Sequence, residues 1–296
     1  MPRRRLFSVR GRLPGGEDNL TITVEKRPAD PHFRWAGTQS SHEGQFDVGG
    51  LAPGSYTLDA ELPARSSTES RMYATVSVDI YDADVDGLEL RFQPGVSVSG
   101  TVRVVGRTPL AVTDVVPMLV GRDMDRWGVV GTVGEDGGLS IENAVPETYH
   151  LRIQTPGVYV VGLKNGEREG AGQTLDLRNG AIEELEVTVS ADTGMVEGMA
   201  PAGSFITLIP AESGWDWRDR YREVTADDEG RYRVEGVVPG RYTAFAWHDV
   251  EQGAPKEASF RRRYEAFGVP VSVKPLERIS VELKEADASE MKATVR

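Results

Sequence analysis

The chain states one pattern three times. In residues 43–56, 136–149 and 228–247 a turn glycine (Gly44, Gly137, Gly230) is followed nine residues on by proline (Pro53, Pro146, Pro239). A tyrosine comes three residues later (Tyr56, Tyr149, Tyr242). The glycines stand 93 residues apart both times. A fixed period of this kind marks one supersecondary unit used repeatedly, and it constrains the fold more than any local propensity. The 296 residues divide into three units, each long enough to bury its own core. The expected units are 1–95, 96–193 and 194–296.

Period-two alternation defines the local structure. Phe46/Val48, Leu139/Ile141 and Tyr232/Val234 fall on one face with polar residues between them, which predicts a half-buried strand in each copy. Six residues after each turn glycine stands Gly50, Asn143 or Gly236. These residue types tolerate positive φ, so a bend with a left-handed residue is expected there. The prolines then fix φ and cannot donate to a ladder. Glycine follows in two copies (Gly54, Gly240), whereas Glu147 follows in the second, which predicts a different or strained turn. A second strand comes next, with Tyr56/Leu58/Ala60, Tyr149/Leu151/Ile153 and Tyr242/Ala244/Ala246 facing inward. Each copy is therefore expected to form an antiparallel strand pair.

This glycine, proline and tyrosine pattern resembles the carboxypeptidase regulatory-like domain, a transthyretin-like β-sandwich related in architecture to collagen-adhesin B-type domains. The opening Val-x-Gly of that family recurs as Val9/Gly11, Val98/Gly100 and Val196/Gly198. Closing strands match around residues 87–92, 185–189 and 279–283. The resemblance implies an all-β chain of three tandem transthyretin/immunoglobulin-like antiparallel sandwiches. It also implies an exported bacterial protein, extracellular or in the cell envelope. It is specific for fold and weak for function, because such domains accompany many activities.

Composition removes several classes. A formal net charge of −12 and a pI near 5.0 speak against nucleic acid or an anionic membrane surface as partner. No apolar stretch approaches the ~20 residues needed to span a bilayer as a helix. There is no cysteine, so no disulfide staples the units. The basic start, residues 1–9, lacks the apolar core of a signal peptide. The expectation is a segment of a longer exported protein, or a start that lies upstream.

Three local features invite chemistry. Asp82, Asp84 and Asp86 precede Gly87 at alternate positions, as oxygen ligands do in calcium loops. A polar strand-to-strand turn explains the same string, since flanking helices and the closing glutamate of such a loop are missing. His248 and Glu251 match a zinc-peptidase pair, but no histidine follows to complete the ligand set. Trp35, Trp127, Trp215 and Trp217 precede their turn glycines by 9 to 15 residues, which places them in equivalent loops. Tryptophan there could stack on sugars, anchor a protein partner, or lid the end of its own sandwich.

The third unit differs on its outward face. Thr243, Phe245 and Trp247 stand where the first unit has Thr57, Asp59 and Glu61 and the second has His150, Arg152 and Gln154. An insertion at 251–267 carries Phe260, Tyr264 and Phe267 at helical spacing, and a short helix covering that apolar face is expected. The functional expectation is a non-catalytic structural or interaction module with no cofactor. It would serve cell-surface spacing, adhesion or self-assembly, with the sandwich edges supplying contacts by strand addition. Its partner would be protein, either itself or another surface component. The alternatives are a carbohydrate-binding module working through the tryptophan loops, and an accessory segment of a larger peptidase or transporter.

Overall fold

The computed structural model describes residues 5–15, 19–27, 36–39, 42–62, 71–121, 128–166, 168–169, 173–211, 217–248, 250 and 253–287. Its strands form six sheets, two for each copy of the repeat. Each pair of sheets encloses a separate core. The first gathers Val9, Phe46, Val48, Leu58 and Ile80, and the second Val98, Leu139, Ile141, Leu151 and Val187. The third gathers Val196, Tyr232, Val234, Ala244 and Val271. The chain is an all-β array of sandwiches with a small helical insertion, as the alternation predicts.

The opening strands Phe7–Arg12, Val96–Val105 and Gly194–Met199 occupy the same place in each repeat. Each pairs antiparallel on one side with the first motif strand, Gln45–Leu51, Gly138–Ala144 or Arg231–Val237. On the other side each pairs parallel with the closing strand, Val85–Glu89, Ile182–Ser190 or Arg278–Glu282. The registers agree residue for residue: Gly11 faces Phe46 and Leu88, Gly100 faces Leu139 and Leu185, and Gly198 faces Tyr232 and Val281. The recurring glycine has a steric cause. A Cβ there would lie 2.1, 1.9 and 1.9 Å from the carbonyl oxygens of Leu88, Leu185 and Val281, so only glycine admits this close parallel approach.

One expectation is corrected here. The two motif strands of each copy do not pair with one another. Gln45–Leu51 lies in the sheet of the opening strand, whereas Gly54–Leu62 lies in the opposite sheet between Thr21–Arg27 and Met72–Ile80. Gly138–Ala144 and Thr148–Ile153 are likewise separated, as are Arg231–Val237 and Gly240–His248. The proline turn carries the chain across the sandwich from one sheet to the other. Period two shows which face of a strand is buried, and both sheets bury a face in the same core.

The expected left-handed bend is present as a β-bulge. In each copy two residues of the motif strand oppose one of the opening strand, and Gly50, Asn143 and Gly236 take φ of 83°, 60° and 65°. After the bulge, Tyr56 donates its hydroxyl to the Ala52 carbonyl at 2.7 Å, and Tyr242 donates to Val238 at 2.5 Å. Both acceptors lie four residues upstream, so each tyrosine ties its crossing turn to the start of the next strand. The turn of the second copy differs as Glu147 predicts: its N–H donates to the Val145 carbonyl at 2.7 Å, closing a three-residue turn around Pro146.

The second repeat departs from the others where it meets the third. In the first and third repeats the strand after the proline turn is followed by a partner in the same sheet, Met72–Ile80 or Val269–Val273. In the second, Tyr159–Asn165 instead joins the opposite sheet beside Ile182–Ser190, and Thr174–Asp176 takes the vacated place. The segment 128–133 divides at Gly131 into Gly128–Val130 and Thr132–Val133, which belong to different sheets.

Candidate functional site

The three repeats differ in what covers the outer face of each motif sheet. A strand in a sandwich points alternate side chains away from its own core, and those side chains must meet water or another element. Each repeat solves this differently, and two of the three solutions are junctions with the next repeat.

In the first repeat Glu61 on the motif strand pairs across to Tyr73, so both project outward. Tyr73 is nevertheless only 7% exposed. Its hydroxyl donates to the carbonyl oxygen of Asn143 in the second repeat at 2.7 Å. Asn143 is the left-handed residue of the second repeat's bulge, and a Cβ on Gly95 would come within 2.7 Å of its Cα. The same bulge that shapes the second sandwich thus presents a carbonyl to the first, next to a glycine that lets the backbones close. Burial raises the Tyr73 pKa, as expected for a phenol held as a neutral donor.

In the second repeat the outward residues are His150 and Arg152. Sequence reading assigns them to a polar face, yet His150 is 4% exposed. Asp219 of the third repeat covers it, with Oδ2 3.5 Å from His150 Nε2 and Oδ1 2.8 Å from Arg152 Nε. Asp219 stands in the one-turn helix Trp217–Arg220. That turn is braced from behind by Arg222, whose guanidinium donates to the carbonyls of Asp219, Tyr221 and Gly236 at 2.6, 3.0 and 3.0 Å. Gly236 is the bulge residue of the third repeat, so the bulge again lies beside the junction with the preceding repeat.

In the third repeat the chain covers its own face. Trp247 is 1% exposed and donates its indole N–H to Thr207 Oγ1 at 2.9 Å. Phe245 stacks on it at 4.8 Å. From the helix Ala258–Arg263 and the residue after it, Phe260 and Tyr264 approach at 5.5 and 5.4 Å, Tyr264 edge-on. Phe267, expected in the same cover, is instead 36% exposed. A short 3-10 turn, Glu265–Phe267, changes the helical phase before it. The strand Glu285–Asp287 adds itself parallel to Gly240–His248 and buries Ala286 beneath the same cover.

The other predicted residues fall as follows. Asp84 accepts from the Ser8 N–H at 3.0 Å and from Arg10 at 3.2 Å, and Asp86 accepts from Arg10 at 3.2 Å. Arg10 also binds Asp47 at 3.0 Å. The Ser8 N–H, then the Arg10 guanidinium, hold Asp84 below the usual carboxylate range. Asp82 is exposed on the turn. Two of the three carboxylates are thus engaged by an arginine. Among the described residues no group of three or more His, Cys, Asp or Glu side chains is gathered as a metal site requires. Trp35, Trp127 and Trp215 lie outside the described residues, and of Trp217 only the backbone is described. Glu251, the second half of the His248 pair, also lies outside them; His248 itself sits 3.1 Å from Glu285. Gly44, Gly137 and Gly230 occupy equivalent turns with φ of 72°, 83° and 80°, and their carbonyls accept from Leu13, Val102 and Ala200. Pro53, Pro146 and Pro239 mark the three crossings.

No protein-family model matches this chain, and no curated protein sequence matches it. Among solved structures the chain is similar to the Bacillus anthracis TIE protein, with 16% identity and a TM-score of 0.24 over 94% of this chain and 51% of that one. It therefore spans about half the length of that protein. It is also similar to a streptococcal ancillary pilin, at 14% identity and TM-score 0.27 over 95% and 99% of the two chains. A third similar structure is BcpA, the major pilin subunit of Bacillus cereus, at 11% identity and TM-score 0.23 over 95% and 100%. Likeness at this level bears on neither ligand nor partner. No helix among the described residues is long and apolar enough to cross a membrane.

Proposed function

We propose that the chain is a non-catalytic spacer of three carboxypeptidase regulatory-like sandwiches, held at fixed mutual angles and working in an exported bacterial protein. The observation that carries this reading is the pair of polar junctions, Tyr73 on Asn143 and Asp219 on His150 and Arg152. Beads on flexible tethers would leave these outward positions to water. Here Tyr73 and His150 are buried, and only short connections, Gly95 and residues 191–193, separate the sheets of successive repeats.

The free edges support spacing over strand addition. The edge strand Val269–Val273 carries Pro270, which has no N–H to offer. The edge strand Arg231–Val237 carries Arg231, paired to Asp227 and Glu229, and Arg233, paired to Glu235. Charged edges of this kind resist pairing with another chain. An extracellular or cell-envelope setting rests on the motif resemblance.

Small-angle scattering with light scattering across a hundredfold concentration range tests the proposal. The spacer reading expects a monomer with one maximum dimension that is unchanged by dilution. A mass that grows with concentration would point to self-assembly, and a profile fitted only by a broad ensemble of dimensions would contradict fixed junctions.

A further inference from the structure

We propose that the cleft between the second and third repeats is a binding site for a small oxyanion, a carboxylate or phosphate group. The cleft arises because Tyr159–Asn165 leaves the motif sheet of the second repeat, so that residues 154–160 form one wall beside Asp219, Arg220 and Arg222 of the third. Arg152, Arg220 and Arg222 line it against a single acid, Asp219, together with the amides of Gln154 and Gln173. In a chain with a formal net charge of −12, a concave surface lined by three arginines and one aspartate is a local concentration of basic side chains.

The arginines differ in what balances them. Arg152 is matched by Asp219 at 2.8 Å. Arg222 donates to three backbone carbonyls, which fix the planar group without cancelling its charge. A guanidinium carries five N–H donors, and three are used in this way. Burial lowers the Arg222 pKa, with Tyr242 and the Asp219 carboxylate opposing it and Arg152 adding the smallest push downward. A fixed, half-buried guanidinium with donors to spare suits a planar or tetrahedral oxyanion, which it can hold by two parallel N–H bonds.

Size limits the ligand. The cleft is small, about 160 Å³. That suits a phosphate, a short dicarboxylate or the end of an acidic side chain.

Titration calorimetry of the full chain at low ionic strength tests this, with sodium phosphate and sodium malonate as separate probes and sodium chloride at matched ionic strength as control. The expected result is saturable one-site binding of at least one probe, weakened about tenfold or more in Arg222→Gln and less in Arg220→Gln. The probe that binds tells phosphate from carboxylate. If circular dichroism shows that Arg222→Gln has not folded, Arg220→Gln and Arg152→Gln decide by the same loss. No saturable heat with either probe, or affinities unchanged in the folded variants, would overturn the proposal.

Discussion

The Tyr73 hydroxyl of the first repeat donates to the Asn143 carbonyl of the second at 2.7 Å, and Asn143 offers that carbonyl from a left-handed bulge residue, φ 60°. Removing the hydroxyl leaves a carbonyl at the junction without its donor. Tyr73→Phe should therefore cost about 1 kcal/mol, the net worth of one such hydrogen bond, read as a lower midpoint in chemical denaturation. Tyr81→Phe, at a side chain 76% exposed, should stay within about 0.5 kcal/mol. Equal effects at the two positions would remove Tyr73 from the junction.

Gly100 is held by backbone on both sides. A Cβ there would sit 1.9 Å from the Leu185 carbonyl oxygen, and the parallel strands would have to part. Gly100→Ala should destabilise the second sandwich by about 3 kcal/mol or more, at or above the usual cost of overpacking. Gly162→Ala is the control, since its Cβ would meet nothing within 4 Å. It should be neutral or slightly stabilising. Thermal melts of the two variants compare them directly.

Trp247 is the centre of the small second core of the third repeat, packed by Phe245, Phe260 and Tyr264. Trp247→Ala should cost about 3–5 kcal/mol, the range for deleting a large buried aromatic. It also strands Thr207 Oγ1, the indole's acceptor. Phe267→Ala, on a partly exposed ring, should cost far less. Calorimetry that found the two equal would contradict the observed cover.

Asp192 lies in the connection from the second repeat to the third and accepts the backbone N–H of Thr108 at 2.7 Å and of Arg107 at 2.8 Å. The Thr108 N–H, followed by the Thr108 side chain and the Arg107 N–H, holds its pKa below the ordinary value. A carboxylate whose pKa is lower folded than unfolded stabilises the fold above the unfolded value, about 3.9. That contribution is lost as pH falls through the folded value. The second sandwich should therefore weaken on acidification below about pH 4, and Asp192→Asn should weaken it at neutral pH while flattening that acid dependence. Unfolding curves across pH 2 to 7 report both.

Much of the fold is legible in the residues. The spacing of Gly44, Pro53 and Tyr56 and of their counterparts locates three equivalent crossings, and Gly50, Asn143 and Gly236 mark the bulges because few residues accept positive φ. Phe245 and Trp247 announce a covered face because an apolar outer face must be hidden. The sheet that each motif strand joins is not legible, because alternation carries no information about neighbours. The junctions are hidden for a related reason. His150 and Arg152 read as solvent-facing because their partner, Asp219, is equally polar and lies in another repeat. Tyr73 is the one signal that could have been found, an aromatic beside acidic Glu61 on an otherwise polar face.

Residual dipolar couplings measured on the intact chain, weakly aligned, test fixed junctions most directly. Amide couplings from the three sandwiches should fit one common alignment tensor. Asp219→Asn should lower the agreement for the third sandwich while costing no more than about 1 kcal/mol in stability, since an ion pair to half-exposed Arg152 contributes little by itself. Three sandwiches that each demand a tensor of different magnitude in the wild-type chain would contradict the spacer.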